Sequence, residues 1–446
     1  MSSDPPYEKL HPARRSVLRG GVTFALSTPA LAVLGATTST RATPPTSDFQ
    51  GVKLKVLANS PHASMYTTSL APTWKKGIGG TLEVAAVDYA SITNRVTEDV
   101  TSGRCEFDIF DYYYYGLGAI TEVDALVDLT DWIRSRTGLC SRDYLPSLYD
   151  AYTLHKGRRY GLPFDGDQQL VFYNRELLDA YGMHPPQTWD AYDAIAKVIT
   201  RRGGGVHYGA VVTGLADPMA LGCAFINRLA GYGGDLVNHS VRPTLTSPAA
   251  LTAAQHLVGI APNALPSPTA TGLDTATASF LSGKVALIET WAAIARRAGD
   301  PTLSKIAGTW GAVPIPRDGT NRRWRTPLNG GYGLGVSPPL SKNRKAALEY
   351  IAWATGADEM LVETTQTNSA IDPNRESVLH SGAYAATAPT VYPLIRQGLD
   401  GAPLVWPKNA SAPANLQQLV QQLTLAIEGK QSAVTALRKA QAGWRH

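Results

Sequence analysis

Apolar and polar positions alternate at Lys53-Leu-Lys-Val-Leu-Ala58 and then turn wholly apolar, the pattern of a strand entering a buried sheet. A helix is predicted from Ala63 to about Trp74, a second strand over Thr81–Val87, and a helix over Ser91–Thr101 with Ile92, Val96 and Val100 on one face. Phe107–Phe110 gives a third strand. This βαβαβ alternation predicts a parallel sheet with helices on both faces. Ligands of such sheets bind beyond the carboxyl ends of the strands. Ser60, Asp88 and Asp111 each fall within two residues of a predicted strand end and are the first candidate site residues.

Further along, Trp132–Tyr152 has a helical pattern, and two extended runs, Arg159–Phe164 and Leu170–Tyr173, flank Asp165-Gly166-Asp167. Helices are predicted at 175–181 and 189–201, the second opened by Thr188 as N-cap. Strand Tyr208–Val212 is followed by helical patterns at 219–230, 249–260 and 276–281, then by a strand from Val285 that ends at Glu289-Thr290-Trp291. Gly311–Pro316 and Tyr332–Ser337 are extended, 342–354 and 359–365 helical, and 416–441 helical with a break at Gly429.

A chain of 446 residues exceeds one ordinary core, so two or three domains are expected. Hydrophobic residues at 44% exclude global disorder. The net charge of +5 is unevenly placed: residues 1–42 hold five basic groups and two acidic ones, leaving 36 basic and 34 acidic groups in the body. A nearly neutral body lacks the concentrated basic face that nucleic acid demands. The basic excess itself belongs to an address. Arg14-Arg15-Ser16-Val17-Leu18-Arg19 precedes the uncharged run Gly20–Gly35, which is shorter than the ~20 residues of a spanning helix but suits a signal peptide. The arginine pair and weak hydrophobicity favour the twin-arginine export route. Residues 1–42 are expected to be this signal and 43–50 a linker. No cysteine stands just after the apolar run, so lipid anchoring is disfavoured and a periplasmic or otherwise extracytoplasmic location is expected.

Other chemistry is thin. Cys105, Cys140 and Cys223 allow at most one internal bridge, with Cys105 and Cys140 as the candidate pair and unbridged thiols as the alternative. The histidines are scattered, neither C-x-x-C nor H-E-x-x-H occurs, and no phosphate-cradling glycine motif is present. No metal or other cofactor is expected, and no catalytic residue is assigned.

Against this background one run stands out. Gly161-Leu-Pro-Phe-Asp-Gly-Asp-Gln-Gln-Leu-Val-Phe-Tyr-Asn-Arg-Glu-Leu-Leu178, followed by Pro185-Pro-Gln-Thr-Trp-Asp190, resembles the central signature of extracytoplasmic solute-binding proteins of ABC importers. More narrowly, it is similar to the sugar-binding group that includes maltose-binding protein. Ala278–Trp291, Gly311–Pro316 and Asn329–Val336 with Ser341-Lys-Asn343 agree in the same order, so the resemblance covers essentially residues 50–365.

The resemblance implies an α/β, two-lobed periplasmic-binding-protein-like fold with hinge strands and a central ligand cleft. Crossings would lie near Phe164–Gln168, Thr309–Ile315 and Leu328–Val336. Residues 51–166 with 312–332 would form the N-terminal lobe, and 167–311 with 333–446 the C-terminal one. The partners implied are a small-molecule sugar or oligosaccharide and the permease subunits of the importer, the protein acting as a monomer that closes by hinge motion.

Sugars offer apolar C–H faces to aromatic rings and hydroxyls to carboxylates and amides. On the resemblance, Asp167 occupies a place where the family often puts a ligand-binding acid, and Trp291 and Tyr332 where it puts stacking aromatics. Asp111 and the Tyr112–Tyr115 run follow the third strand, another usual contact region, with Tyr115 as the candidate. Asp165 and the close backbone approach allowed by Gly331 complete the set. A secreted glycoside hydrolase using Asp165 and Asp167 as acid and base is the alternative of a different class, and an adhesion or sensor role on the same fold is a third.

Overall fold

A computed structural model describes residues 49–321, 324, 326–338, 343–399 and 406–445. The proposed export signal (1–42) and most of the linker lie outside the described residues, as do Arg322, Arg323 and Arg325. Phe49, at the end of that linker, is already core: it is buried, and its ring stacks on Trp74 at 6.4 Å.

The strands are β1 (Lys53–Asn59), β2 (Thr81–Val87), β3 (Ile109–Tyr113), the small hairpin β4 (Leu154–His155) and β5 (Arg158–Arg159), β6 (Leu162–Asp165), β7 (Gln169–Asn174), β8 (Tyr208–Ala210), β9 (Val285–Trp291), β10 (Trp310–Pro314) and β11 (Tyr332–Val336). They form two principal sheets. The first has the order β2-β1-β3-β11-β6, with β1, β2 and β3 parallel and β11 antiparallel to both β3 and β6. The second has the order β10-β7-β9-β8.

Side-chain alternation decides what each face buries. Val56 and Ile109 of the first sheet join Leu162 and Leu334 in a core with Tyr350 and Ile351 of the helix Arg344–Ala354. Their neighbours Leu57 and Phe110 face the other way, into a core continuous with Leu170, Phe172 and Leu287 of the second sheet. The α/β reading therefore holds, although the first sheet is mixed rather than wholly parallel.

Among the described residues, two crossings join the sheets. Gly166–Gln168 connects β6 to β7, and residues 315–331 connect β10 to β11. This reverses the lobe assignment expected for the second crossing. Ala312–Pro314 pair with β7 in the second sheet, while Tyr332–Val336 and the helix Arg344–Ala354 pack with the first. The strand pattern is right in both cases, but local alternation does not encode which sheet a strand joins. The crossings are tight. A Cβ on Gly166 would lie 1.9 Å from the Pro373 carbonyl oxygen, and one on Gly331, whose φ is +117°, would lie 1.9 Å from the Tyr152 ring. Glycine is required at both.

Two further departures have local causes. Trp132–Tyr152 is not one helix: Thr130–Ser135 and Pro146–Thr153 are separated by tight turns, with Cys140 in the left-handed region at φ +48°. The three cysteines are free, so Cys105 and Cys140 do not pair.

Candidate functional site

Strand ends of both sheets open into one cavity of about 860 Å³. From the first sheet come Ser60 after β1, Asp88 and Tyr89 after β2, Asp165 at the end of β6 and Tyr332 at the start of β11. From the second come Thr290 and Trp291, which end β9, with Asp217 and Asp274 on segments packed beside that sheet. Asp167, in the first crossing, lines it too.

The floor is built around His62. β1 stops at Asn59, and Ser60-Pro61 start a helix, proline being suited to a first turn whose N–H groups lack partners. That turn drives His62 inward until it is 2% exposed. Its Nδ1 lies 2.6 Å from Asp111 Oδ2 and its Nε2 3.3 Å from Asp165 Oδ2, while the Tyr332 ring meets it edge-on at 4.6 Å. Burial opposes a charge on this imidazole, but Asp111 and Asp165 outweigh it and hold the pKa up at about 10, so His62 is a cation. Burial in turn pushes the Asp111 carboxyl up, and His62 counters it.

Asp165 also accepts from the backbone N–H of Asp372 at 2.8 Å. Asp372 is fully buried, 3.7 Å from the Arg296 guanidinium, which donates to the carbonyls of Ser369 and Ile371. Burial lifts the Asp372 pKa to about 7 against the pull of Arg296. Asp167 is pushed well above the carboxylate range by burial and then by Asp165 and Asp372, with Asp165 as its hydrogen-bonding neighbour and the Gly331 N–H donating to it.

The second wall is fixed differently. Trp291 Nε1 donates to the Asn329 carbonyl at 3.1 Å, locking the indole at the cavity edge. The Asn329 amide donates to Cys223 O and Asn227 Oδ1 and accepts from Trp406 Nε1, each at 3.0 Å, which ties that carbonyl into the core. Asp217 opens the turn at Pro218 by accepting from Met219 N at 2.6 Å.

Of the residues singled out from sequence, Ser60, Asp88, Asp165, Asp167, Trp291 and Tyr332 share this cavity; Asp111, Tyr115 and Gly331 do not line it. Asp111 was expected just past a strand, but β3 runs on to Tyr113, which puts Asp111 inside the sheet behind His62. Tyr115 packs against Tyr113 at 4.5 Å and Trp406 at 5.9 Å. All four tyrosines of the run are buried, Tyr112 and Tyr114 bonding the carbonyls of Tyr152 and Leu328. Gly331 contributes a backbone N–H and room for Tyr152. His62, Tyr89, Asp217, Asp274 and Arg297 were missed. Position after a strand could have found Tyr89, and an aspartate before proline could have marked Asp217. A lone histidine in a helical turn gives no local signal.

Hydrolysis fits this geometry poorly. The carboxyls of Asp165 and Asp167 are hydrogen-bonded to each other, whereas a glycosidase pair stands about 5–9.5 Å apart to admit the sugar and its nucleophile. Aromatic rings beside carboxyl groups suit retention of a polyhydroxylated solute instead.

The pattern of bacterial extracellular solute-binding proteins matches residues 64–361, more than half of the chain. The chain belongs to that family. Among similar proteins, a probable amino-acid ABC transporter periplasmic-binding protein of Sinorhizobium fredii is 26% identical over 319 residues, 70% of each chain. The mannitol-binding protein of Pseudomonas aeruginosa is 26% identical over 310 residues, 67% of each. Among solved structures, a ribitol complex of an ABC transporter solute-binding protein from Agrobacterium radiobacter superposes with a TM-score of 0.83 at 22% identity, covering 89% of this chain and 99% of that one. A maltose-bound protein of T. maritima gives 0.79 at 21% identity over 88% and 98%. The likeness shows the fold of the family: two α/β lobes with the cleft between them.

Proposed function

We propose that this chain is the extracytoplasmic solute-binding component of an ABC importer, holding a sugar or polyol between its lobes and handing it unchanged to membrane permease subunits. The observation that carries this reading is the cavity itself: about 860 Å³, reached by strand ends of both sheets, with Trp291 and Tyr332 beside Asp165 and Asp167. Similarity to a mannitol-binding relative and to ribitol- and maltose-bound structures supports the polyhydroxylated class. On this reading Ser60 and Asp88 are contacts from the first lobe, and the protein acts as a monomer exported through the twin-arginine route. Replacing Arg14 and Arg15 by lysine should block export.

A thermal-shift screen of monosaccharides, oligosaccharides and polyols, followed by calorimetry, tests the central claim, because a solute that binds the native state raises its melting temperature. Trp291→Ala should weaken the solute found this way about tenfold or more. An unchanged affinity removes Trp291 from the site. Oligosaccharides recovered intact after incubation fit capture, and released reducing ends would overturn it.

A further inference from the structure

The charges lining the cleft are lopsided. Asp88, Asp165, Asp167, Asp217 and Asp274 face the cavity, against His62 and Arg297. His62 is already engaged by Asp111 and Asp165, and Arg297 is exposed. Arg296, behind the lining, is engaged by Asp372. Even leaving Asp167 aside, carboxylates outnumber the cations that could balance them.

Their distribution matters as much as their number. Asp88 stands at the end of β2 in the first lobe, whereas Asp217 and Asp274 belong to the second. Asp217 is pushed up by burial and, across the cleft, by Asp88. Tyr89 lies among them, its phenol pushed up by burial and then by Asp167, Asp165, Asp217 and Asp274. The Tyr332 ring is 6.4 Å from that of Tyr89, and its hydroxyl, on a side chain only 1% exposed, has no hydrogen-bond partner among the described residues. Two walls of like charge repel as a cleft narrows, and a neutral polyol leaves that repulsion in place. A cation removes it, and low-dielectric walls of one sign concentrate cations in the gap. Ring faces and carboxylates together are what an ammonium group prefers.

Resting on the reading of this cleft as a sugar or polyol site, we propose that its solute carries a protonated amine beside its hydroxyls, as an amino sugar or amino polyol does. The ammonium lies by Tyr89 between Asp88 of one lobe and Asp217 and Asp274 of the other. Sugar acids and sugar phosphates are rejected by the same carboxylates.

The test is calorimetric titration of the exported protein with matched pairs: D-glucosamine against D-glucose, and 1-amino-1-deoxy-D-sorbitol against D-sorbitol, at a pH where the amines are charged. The amine of at least one pair is expected to bind about tenfold or more tightly than its neutral partner, with an advantage that shrinks as salt is added. D-Glucuronate and glucose 6-phosphate are expected not to bind. Asp88→Asn with Asp274→Asn, both at exposed positions, should cut the amine's advantage several-fold. Neutral partners that bind as tightly as the amines, or anionic sugars that bind, overturn the inference while leaving sugar capture standing. If no member of either pair binds and the wider screen is also silent, capture of a sugar falls with it.

Discussion

Each lobe buries a charge cluster at its sheet, and the two differ in what lies beside them. In the second lobe Arg228 meets Glu289 in a bidentate pair at 2.8 and 3.0 Å. The guanidinium also donates to His256 and the Ala224 carbonyl and lies 4.6 Å over the Trp189 ring, while Asn227 donates to the carboxylate. In the first lobe His62 serves Asp111 and Asp165 together, Asp111 Oδ1 and Asp372 Oδ2 have no hydrogen-bond partner among the described residues, and Asp167 is pushed up by burial beside Asp165. Of these two clusters, only the His62 cluster of the first lobe reaches the cavity. Burial alone therefore does not mark a site. An unfinished set of polar contacts beside open space does, because it leaves capacity for a solute to complete.

The sharpest way to break this contrast is Glu289→Ala, which strands the Arg228 charge and should cost about 3–5 kcal/mol in denaturant unfolding. Replacing both partners, Arg228→Met with Glu289→Leu, should restore most of that loss. A small penalty for the single change would mean that the pair is not the structural anchor described. His62→Gln should cost less overall and behave differently with pH. The folded protein holds the His62 proton more tightly than the unfolded chain does, so its contribution is complete below 6.5 and is lost as pH rises toward about 10. Thermal midpoints of wild type and variant should thus converge across that window; a constant gap would refute the assignment of His62 as a cation. Gly331→Ala, which forces a side chain onto Tyr152 at a positive φ, should lose about 1–3 kcal/mol. Smallest is Trp291→Phe, which keeps a ring at the cavity but gives up the bond to Asn329, a loss of about 1 kcal/mol by unfolding.

Much of the fold was legible because it is locally encoded. The alternation at Val56 and Leu57 gives two buried faces, β2 spans the residues its pattern suggests, and Thr188 caps its helix by accepting from Ala191 N at 3.2 Å. Strand ends likewise pointed to Ser60, Asp88 and Trp291. What escaped was non-local. β3 extends three residues further because β11 pairs with it as far as Tyr113, and that pairing converts Asp111 from a presumed lining residue to support for His62. The sheet that receives β10 is set by its register with β7, from Trp310 opposite Asn174 to Pro314 opposite Leu170. No run of residues announces that His62, Asp111, Asp165 and Asp372 converge, since 310 positions separate the first from the last.

Asn329 carries one more consequence. It precedes Gly330, and an Asn-Gly dipeptide in a loose chain is prone to deamidation, the following backbone nitrogen attacking the side-chain carbonyl. Here the amide is wholly enclosed, its nitrogen facing the oxygens of Cys223 and Asn227 and its oxygen taken by Trp406. A carboxylate there would set oxygen against oxygen. Chemical ageing of this residue should therefore be slow in the native protein and fast once it unfolds, and molecules aged while unfolded should refold poorly.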